Sequence, residues 1–245
     1  MSGFTALVLA GSREEPDGLC AHAGVSHKAL IVLNGQTLLA RVVTALQAAG
    51  AARIGVSTSH PDVIAAAQGL EIIPSAASPS QSVEQAAKAF PLLVTTSDHA
   101  LLQPQWITDF LAAIPPDAQI AALLAPEAVV RAAVPDTQRT YLKFRDGRYS
   151  GCNLFYLRDP AALAAIALWR RVEAHRKQPW KIAALLGPRM LIGYVLGRLT
   201  LDQAVAALGA RAGVTAAAVR TPYGLAAVDV DKPSDLDLVR RLTAA

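Results

Sequence analysis

Apolar runs and segments with helically spaced apolar positions alternate along the first half of the chain. Runs typical of buried strands occupy residues 7–10, 53–57, 71–74, 91–95 and 119–124. Segments with the apolar spacing of helices occupy residues 37–49, 61–68, 81–89 and 104–114. This alternation predicts an α/β fold with a mostly parallel central sheet and helices on both faces. Ligands in such folds bind at the carboxyl ends of the strands, where we therefore expect the functional residues.

The second half of the chain departs from this alternation. A turn at Asp146-Gly147 separates residues 140–144 from residues 148–157, which predicts a hairpin. The other predicted elements are a helix from Asp159, a helix capped by Thr200, strands over residues 214–220 and 226–230, and a final helix from Pro233.

Residues 179–208 form an apolar insertion near the C-terminus that we predict to be wholly helical. Pro188, Arg189 and Arg198 interrupt its apolar runs, whereas a membrane-spanning helix needs about 20 uninterrupted apolar residues. We therefore expect no transmembrane segment. Three interpretations of the insertion stay open: a lid over a substrate, the surface of a homodimer, or a helix lying on a membrane.

The composition is that of a chain with one sizeable core. It has 245 residues, 53% of them hydrophobic and 17% charged, and we expect one domain over residues 1–245. The pI is near 9.3, but no long basic run is present. Small anionic substrates therefore fit the charge as well as nucleic acid does, and we expect no nucleic-acid partner. The two cysteines, Cys20 and Cys152, give no disulfide framework, so we expect a cytoplasmic protein.

The turn after the first strand carries candidate chemistry for an anion. The strand stops at Gly11-Ser12-Arg13, where free backbone N–H groups can bind phosphate oxygens and Arg13 adds a cationic fork. Lys28 begins the next apolar segment, so two cations flank one loop. A glycine turn alone is a weak signal, and the combination is more specific.

A carboxylate, Asp98, follows the predicted strand over residues 91–95. Carboxylate oxygens suit Mg²⁺, whose octahedral site needs only one or two of them when phosphates are bound. The alternative is that Asp98 only caps a helix or lies in a surface turn. His99 is neutral at pH 7 and a poor Mg²⁺ ligand, so we interpret it as a neighbour of the site.

Three motifs together resemble a known superfamily. They are Leu9-Ala10-Gly11-Ser12-Arg13, Lys28-Ala29-Leu30 and Asn34-Gly35-Gln36-Thr37-Leu38. This arrangement resembles the start of the MobA-like NTP transferases, which share the molybdenum cofactor guanylyltransferase fold and include sugar- and polyol-phosphate nucleotidyltransferases. The guanylyltransferase pattern has a second Gly where Ser12 stands and a Met-Gly pair after the Arg, so the resemblance is to the superfamily.

The resemblance implies a Rossmann-like fold of the GT-A type and a Mg²⁺-dependent transfer. A nucleoside monophosphate would pass from a nucleoside triphosphate to a phosphorylated acceptor, either a small molecule or a lipid precursor, with release of pyrophosphate. By resemblance, Asp231 completes a metal site with Asp98. Asp229 lies two positions earlier and is its rival.

The resemblance also implies roles for the other candidate residues. Arg13 and Lys28 would be catalytic, because they would neutralise charge on the phosphates. Asn153 would contact the acceptor. The implied nucleotide-binding residues are Leu9, Ala10, Gly11, Ser12 and Ser82. For Ser82 the alternative is a purely structural one, in which Gln81 or Ser82 caps the helix over residues 81–89.

Other functions remain as alternatives. A GT-A glycosyltransferase usually has two acids bracketing one residue at the metal strand, whereas this chain has Ser97-Asp98-His99. A nucleotide-binding protein without catalysis is a further alternative. The chain lacks the second and third glycines of a dinucleotide-binding fingerprint. A zinc site at Cys20, His22 and His27 would need a fourth ligand.

Overall fold

The computed structural model describes residues 3–11, 18–135, 137, 139–175 and 187–244. The strands are β1 (Phe4–Leu9), β2 (Val32–Leu33), β3 (Gln36–Thr37), β4 (Ala51–Ser57), β5 (Glu71–Ile73), β6 (Leu92–Thr96), β7 (Ile120–Pro126), β8 (Leu142–Phe144), β9 (Gly147–Leu157) and β10 (Ala216–Arg220). The helices are α1 (Gly18–Ala23), α2 (Leu38–Ala48), α3 (Pro61–Ala66), α4 (Pro79–Ala86), α5 (Pro104–Ala113), α6 (Glu127–Ala133), α7 (Leu163–Ala174), α8 (Pro188–Val195), α9 (Leu201–Ala212) and α10 (Pro233–Thr243).

The central sheet is mostly parallel, as the alternating pattern predicts. Its strand order is β10-β7-β9-β6-β1-β4-β5, and β8 pairs with β9 at its side. Strand β9 runs antiparallel to both β6 and β7, whereas β1 pairs in parallel with β4 and β6. The predicted hairpin is confirmed as β8 and β9, joined at Asp146-Gly147. The carboxyl ends of β1, β4 and β6 therefore meet at one edge.

Helices cover both faces of the sheet. Along β1, Ala6 and Val8 belong to a large apolar core, while Leu7 between them belongs to a smaller one. Successive strand residues point to opposite faces, so the two cores lie on the two sides of the sheet. Helices α2 and α5 pack into the large core, and α4 and α7 into the small one.

The predicted strand over residues 226–230 is wrong. Residues Gly224–Ala227 form a 3₁₀ turn, and residues 228–230 cross the end of the sheet without joining it. Ala226, Val228 and Val230 are nevertheless buried in the core. The apolar run therefore reflects burial, which a strand and a buried crossing segment share.

The predicted start of helix α4 is also wrong, because neither Gln81 nor Ser82 caps it. Ser78 is the cap, and its hydroxyl accepts a hydrogen bond from the Gln81 backbone N–H at 3.3 Å. Pro79 occupies the first helical position, where its fixed φ and missing N–H suit a helix start. The Ser-Pro pair is thus the stronger local signal.

The predicted helical insertion is confirmed in part. Its residues 179–186 lie outside the described residues. Helix α8 ends at Val195, and the chain then leaves helical geometry at residues 196–200, so the insertion is not one continuous helix. Thr200 caps α9 in a capping box with Gln203, as predicted. Within the described residues, no helix is long and apolar enough to cross a membrane.

Candidate functional site

Two carboxylates converge on the ammonium group of Lys28. Lys28 begins a 3₁₀ turn, Lys28–Leu30, which the His27 side chain caps. Its Nζ donates to Asp98 in a very short contact and to Asp231 Oδ1 at 3.2 Å. The burial of Lys28 opposes its charge, but the two aspartates outweigh burial and raise its pKa. The three residues therefore form one charged cluster, although 203 positions of sequence separate Lys28 from Asp231.

Asp98 is fixed at the end of β6. The backbone N–H of Ser97 donates to the Leu9 carbonyl at 3.0 Å, which ties this segment to β1. The Thr96 hydroxyl donates to the other Asp98 oxygen. Burial disfavours the charged carboxylate, but Lys28 and the Thr96 hydroxyl hold the pKa of Asp98 below its ordinary value. Asp98 is therefore ionised and preorganised at neutral pH.

Asp231 is positioned by backbone hydrogen bonds at the start of α10. The Val230 N–H donates to the Asp98 carbonyl at 3.1 Å, so the segment that carries Asp231 is attached to Asp98 directly. The buried carboxylate of Asp235 accepts from the N–H groups of Asp231 and Lys232, both at 3.2 Å. The Asp231 side chain remains 63% exposed, which leaves its carboxylate accessible to a ligand.

Asp229, the rival of Asp231, has different partners. Its Oδ1 lies 2.5 Å from Arg139 Nη1, and its Oδ2 accepts from Asn153 Nδ2 at 2.9 Å. Burial opposes the charge of Arg139, but its bond to Asp229 raises the pKa of the guanidinium. The structure therefore places Asp231 on Lys28 and places Asp229 with Arg139 and Asn153.

The predicted phosphate turn leaves the sheet beside this cluster. The Ala10 N–H donates to the Ser57 carbonyl at 2.9 Å, and Leu9 accepts from Ser97. These bonds hold Leu9, Ala10 and Gly11 between the ends of β4 and β6. Ser12 and Arg13 lie outside the described residues.

Ser82 and Asn153 lie at the same end of the sheet with structural partners. The buried Ser82 hydroxyl accepts from the Ala76 N–H at 3.0 Å, which fixes the loop before α4. Asn153 has a φ of 49° and donates to Asp229. The structure thus associates Asn153 with Asp229, and not with the cluster around Lys28.

His99 is a buried neutral neighbour of the cluster. It is 1% exposed, and burial lowers its pKa to about 4. Its ring packs near Trp106 at 6.3 Å between centroids. Within the described ranges, no group of three or more His, Cys, Asp or Glu residues is arranged to hold a metal ion, and Cys20, His22 and His27 form no such group there.

The sequence pattern alone missed three residues of this region: Thr96, Asp235 and Arg139. Thr96 and Asp235 lie close in sequence to Asp98 and Asp231, so a search for hydroxyl or carboxylate neighbours would have found them. No feature of the sequence marks Arg139, because its contact with Asp229 exists only in the folded chain.

Comparisons with known proteins identify the family of the chain. A family model for the MobA-like NTP transferase domain matches residues 6–191. A hypothetical transferase structure from Thermus thermophilus is 33% identical, with a TM-score of 0.82 over 96% of this chain and 99% of that chain. No curated protein sequence matches the chain.

Two more distant structures share the fold. One is a CMP:2-keto-3-deoxy-manno-octonic acid synthetase complexed with CTP, 17% identical with a TM-score of 0.60 over 99% of both chains. The other is the 2-C-methyl-D-erythritol 4-phosphate cytidylyltransferase from Thermus thermophilus, 18% identical with a TM-score of 0.55 over 99% of this chain and 100% of that one. The family match covers well over half of the sequence, including Lys28 and Asp98, so the chain belongs to the MobA-like NTP transferase family and is a nucleotidyltransferase.

Proposed function

We propose that the chain transfers a nucleoside monophosphate from a nucleoside triphosphate to a phosphorylated acceptor and releases pyrophosphate. The observation that carries this proposal is the contact of Lys28 with both Asp98 and Asp231 at the carboxyl end of the sheet. An oxygen of the acceptor phosphate would form a bond to the α-phosphorus while the bond to the β-phosphate oxygen breaks. Such a transfer asks for positioning and charge neutralisation, and no side-chain nucleophile is required.

Each residue of the cluster has a role in this proposal. Lys28 would stabilise the charge that develops at the reacting phosphorus. The turn at Leu9, Ala10, Gly11 and Ser12, with Arg13, would bind the β- and γ-phosphates through backbone N–H groups and a guanidinium. Ser82, whose loop borders this turn, would lie near the base.

The carboxylate pair fits a magnesium ion. Asp98 and Asp231 offer hard oxygen ligands within hydrogen-bond reach of one ammonium group, and Mg²⁺ is commonly held by one or two carboxylates with phosphates completing its shell. Mg²⁺ would supply charge neutralisation at the α-phosphate. Asp98 is ionised because its pKa is lowered, and Asp235 fixes the backbone that presents Asp231.

The first prediction tests this cluster through activity. Lys28→Ala and Asp98→Asn should each lower the rate of pyrophosphate release by a factor of about 100 or more, because each removes a group that neutralises phosphate charge. Release would be measured with nucleoside triphosphates, Mg²⁺ and a panel of sugar and polyol phosphates. Lys88→Ala is the matched control, since Lys88 is an exposed lysine beyond α4.

The same assay separates the alternatives. Turnover of nucleotide sugars without pyrophosphate release would favour a glycosyltransferase. Nucleotide binding without turnover of any acceptor would favour a binding protein. Rates unchanged in both the Lys28 and the Asp98 variants would refute the roles assigned to them.

A further inference from the structure

A basic pocket of about 510 Å³ lies between helix α6 and the β8–β9 hairpin. Its lining includes four cations, Arg131, Arg139, Lys143 and Arg148, against the single carboxylate of Glu127 among the described residues. Its volume falls within the range of about 300–1,000 Å³ that is usual for small-molecule sites. The transfer proposed above assigns no role to this pocket.

Among the described residues, the cations that line the pocket outnumber the carboxylates that pair with them, Glu127 and Asp229. Glu127 is shared between Arg131 at 2.8 Å and Arg148 at 3.2 Å. These two guanidinium groups lower the pKa of Glu127, so its carboxylate stays ionised and pairs with both of them. Lys143 makes no ion pair within the part of the chain that the structure describes. The pocket is therefore electrostatically suited to an anion.

Tyr141 lines the pocket and carries a hydroxyl that is an unused hydrogen-bond donor among the described residues. Its hydroxyl oxygen is buried and has no hydrogen-bond partner among the described residues. Burial raises the pKa of Tyr141, so the hydroxyl keeps its proton at neutral pH. Buried polar groups nearly always have a partner, and an anion in the pocket would accept from this hydroxyl.

Arg139 connects the pocket with the catalytic edge of the sheet. It lines the pocket and also holds Asp229, which in turn accepts from Asn153. Asp229 precedes Asp231 by two residues, so the contacts of Arg139 link the pocket to the segment that carries Asp231. An acceptor that reaches Asn153 would place its far end toward Arg139.

We propose that this pocket binds a second anionic group of the acceptor, a phosphate or carboxylate that does not itself react. The inference rests on the proposed function, and it narrows the acceptor to a small molecule that carries two anionic groups. One group reacts beside Lys28, while Lys143, Arg148 and the Tyr141 hydroxyl hold the other.

The test uses matched pairs of acceptors and three variants. Sugar and polyol phosphates with and without a second phosphate, and with and without a carboxylate, are compared by pyrophosphate release. In Lys143→Gln and Tyr141→Phe, we expect the KM for the preferred doubly anionic acceptor to rise about 10-fold with kcat unchanged, the change expected for one lost hydrogen bond to a charged group. The KM for the singly anionic acceptor of the same pair should not change. Lys88→Gln should change neither of the two KM values. The binding of inorganic phosphate, measured by calorimetry, gives a readout independent of turnover.

The outcomes separate the two proposals. Equal KM values for both members of every pair, or no effect of Lys143→Gln and Tyr141→Phe, would overturn the pocket assignment and leave the proposed function intact. Absence of pyrophosphate release from every acceptor would contradict the proposed function and overturn the acceptor role. Phosphate binding that still depends on Lys143 would in that case identify an anion pocket of another purpose.

Discussion

At the scale of single residues, Lys28 determines how the candidate site is built. Lys28 is a partly buried cation. Its charge is stable in this position because Asp98 and Asp231 compensate the loss of solvation. Removing one partner of a buried ion pair commonly costs about 3–5 kcal/mol, since the other charge is left uncompensated. The cluster is therefore both a structural junction between distant segments and the proposed charge-neutralising centre.

The pH dependence of stability should report the Asp98 carboxylate. Its pKa in the folded chain is held below the ordinary value near 3.8. The unfolded chain therefore binds the proton more readily, and Asp98 stabilises the fold at neutral pH. This contribution is lost as the pH falls below about 4 and then through the lower folded pKa.

This prediction is tested by denaturant unfolding of the native chain and of Asp98→Asn. The measurements run from about pH 2 to about pH 7, a range that brackets the ordinary pKa of a carboxyl group. The stability difference should be largest at neutral pH and should shrink on acidification. Asp117→Asn is the control, because Asp117 is exposed. A difference that does not depend on pH would contradict the assignment.

At the scale of secondary-structure elements, the 3₁₀ turn Gly224–Ala227 decides how the C-terminal segment approaches the site. It packs against α6 so closely that a Cβ built on Gly224 would lie 2.3 Å from the Val129 carbonyl oxygen and 2.8 Å from the Ala133 Cβ. These contacts are with backbone and with a short side chain, neither of which can move away easily. The turn then delivers residues 228–231 to Asp98.

Gly224→Ala should therefore destabilise the fold by about 1–3 kcal/mol, the usual cost of overpacking a close contact. Thermal and denaturant unfolding would measure the change. Gly151→Ala is the matched control, because a Cβ there has no neighbour within 4 Å. Equal stabilities of the two variants would show that α6 and the turn can separate without cost.

At the scale of the whole molecule, the sheet order brings the proposed ligand groups to one edge. Strands β4, β1 and β6 lie side by side and in parallel, so Gly11, which follows β1, and Asp98, which follows β6, lie at the same edge. The segment just before helix α10 then brings Asp231 to the same edge. A ligand that spans these segments stabilises the folded chain, since the unfolded chain cannot bind it.

A thermal-shift assay would compare ATP, CTP, GTP and UTP, each with and without Mg²⁺. We expect a bound nucleotide to raise the melting temperature, and one base to give the largest rise. At a ligand concentration of about 100 times Kd, the stabilisation is about 2.7 kcal/mol. The shift should require Mg²⁺ and should be smaller in Asp98→Asn. Identical shifts with and without Mg²⁺ would contradict a metal role for the carboxylate pair.

The α/β alternation, the helix starts at Pro104 and Pro233, and the candidate roles of Lys28 and Asp98 can all be predicted from the order of residues alone. These features depend on local periodicity and on the residues at the borders of apolar segments, and both are properties of short segments. The strand predicted over residues 226–230 failed because burial alone produces the same apolar run. The contacts of Asp231 with Lys28 and of Asp229 with Arg139 arise only on folding, because a backbone hydrogen bond from Val230 to Asp98 fixes that segment. The basic pocket also exists only in the fold, since α6 and a hairpin must pack together before its charges share one space.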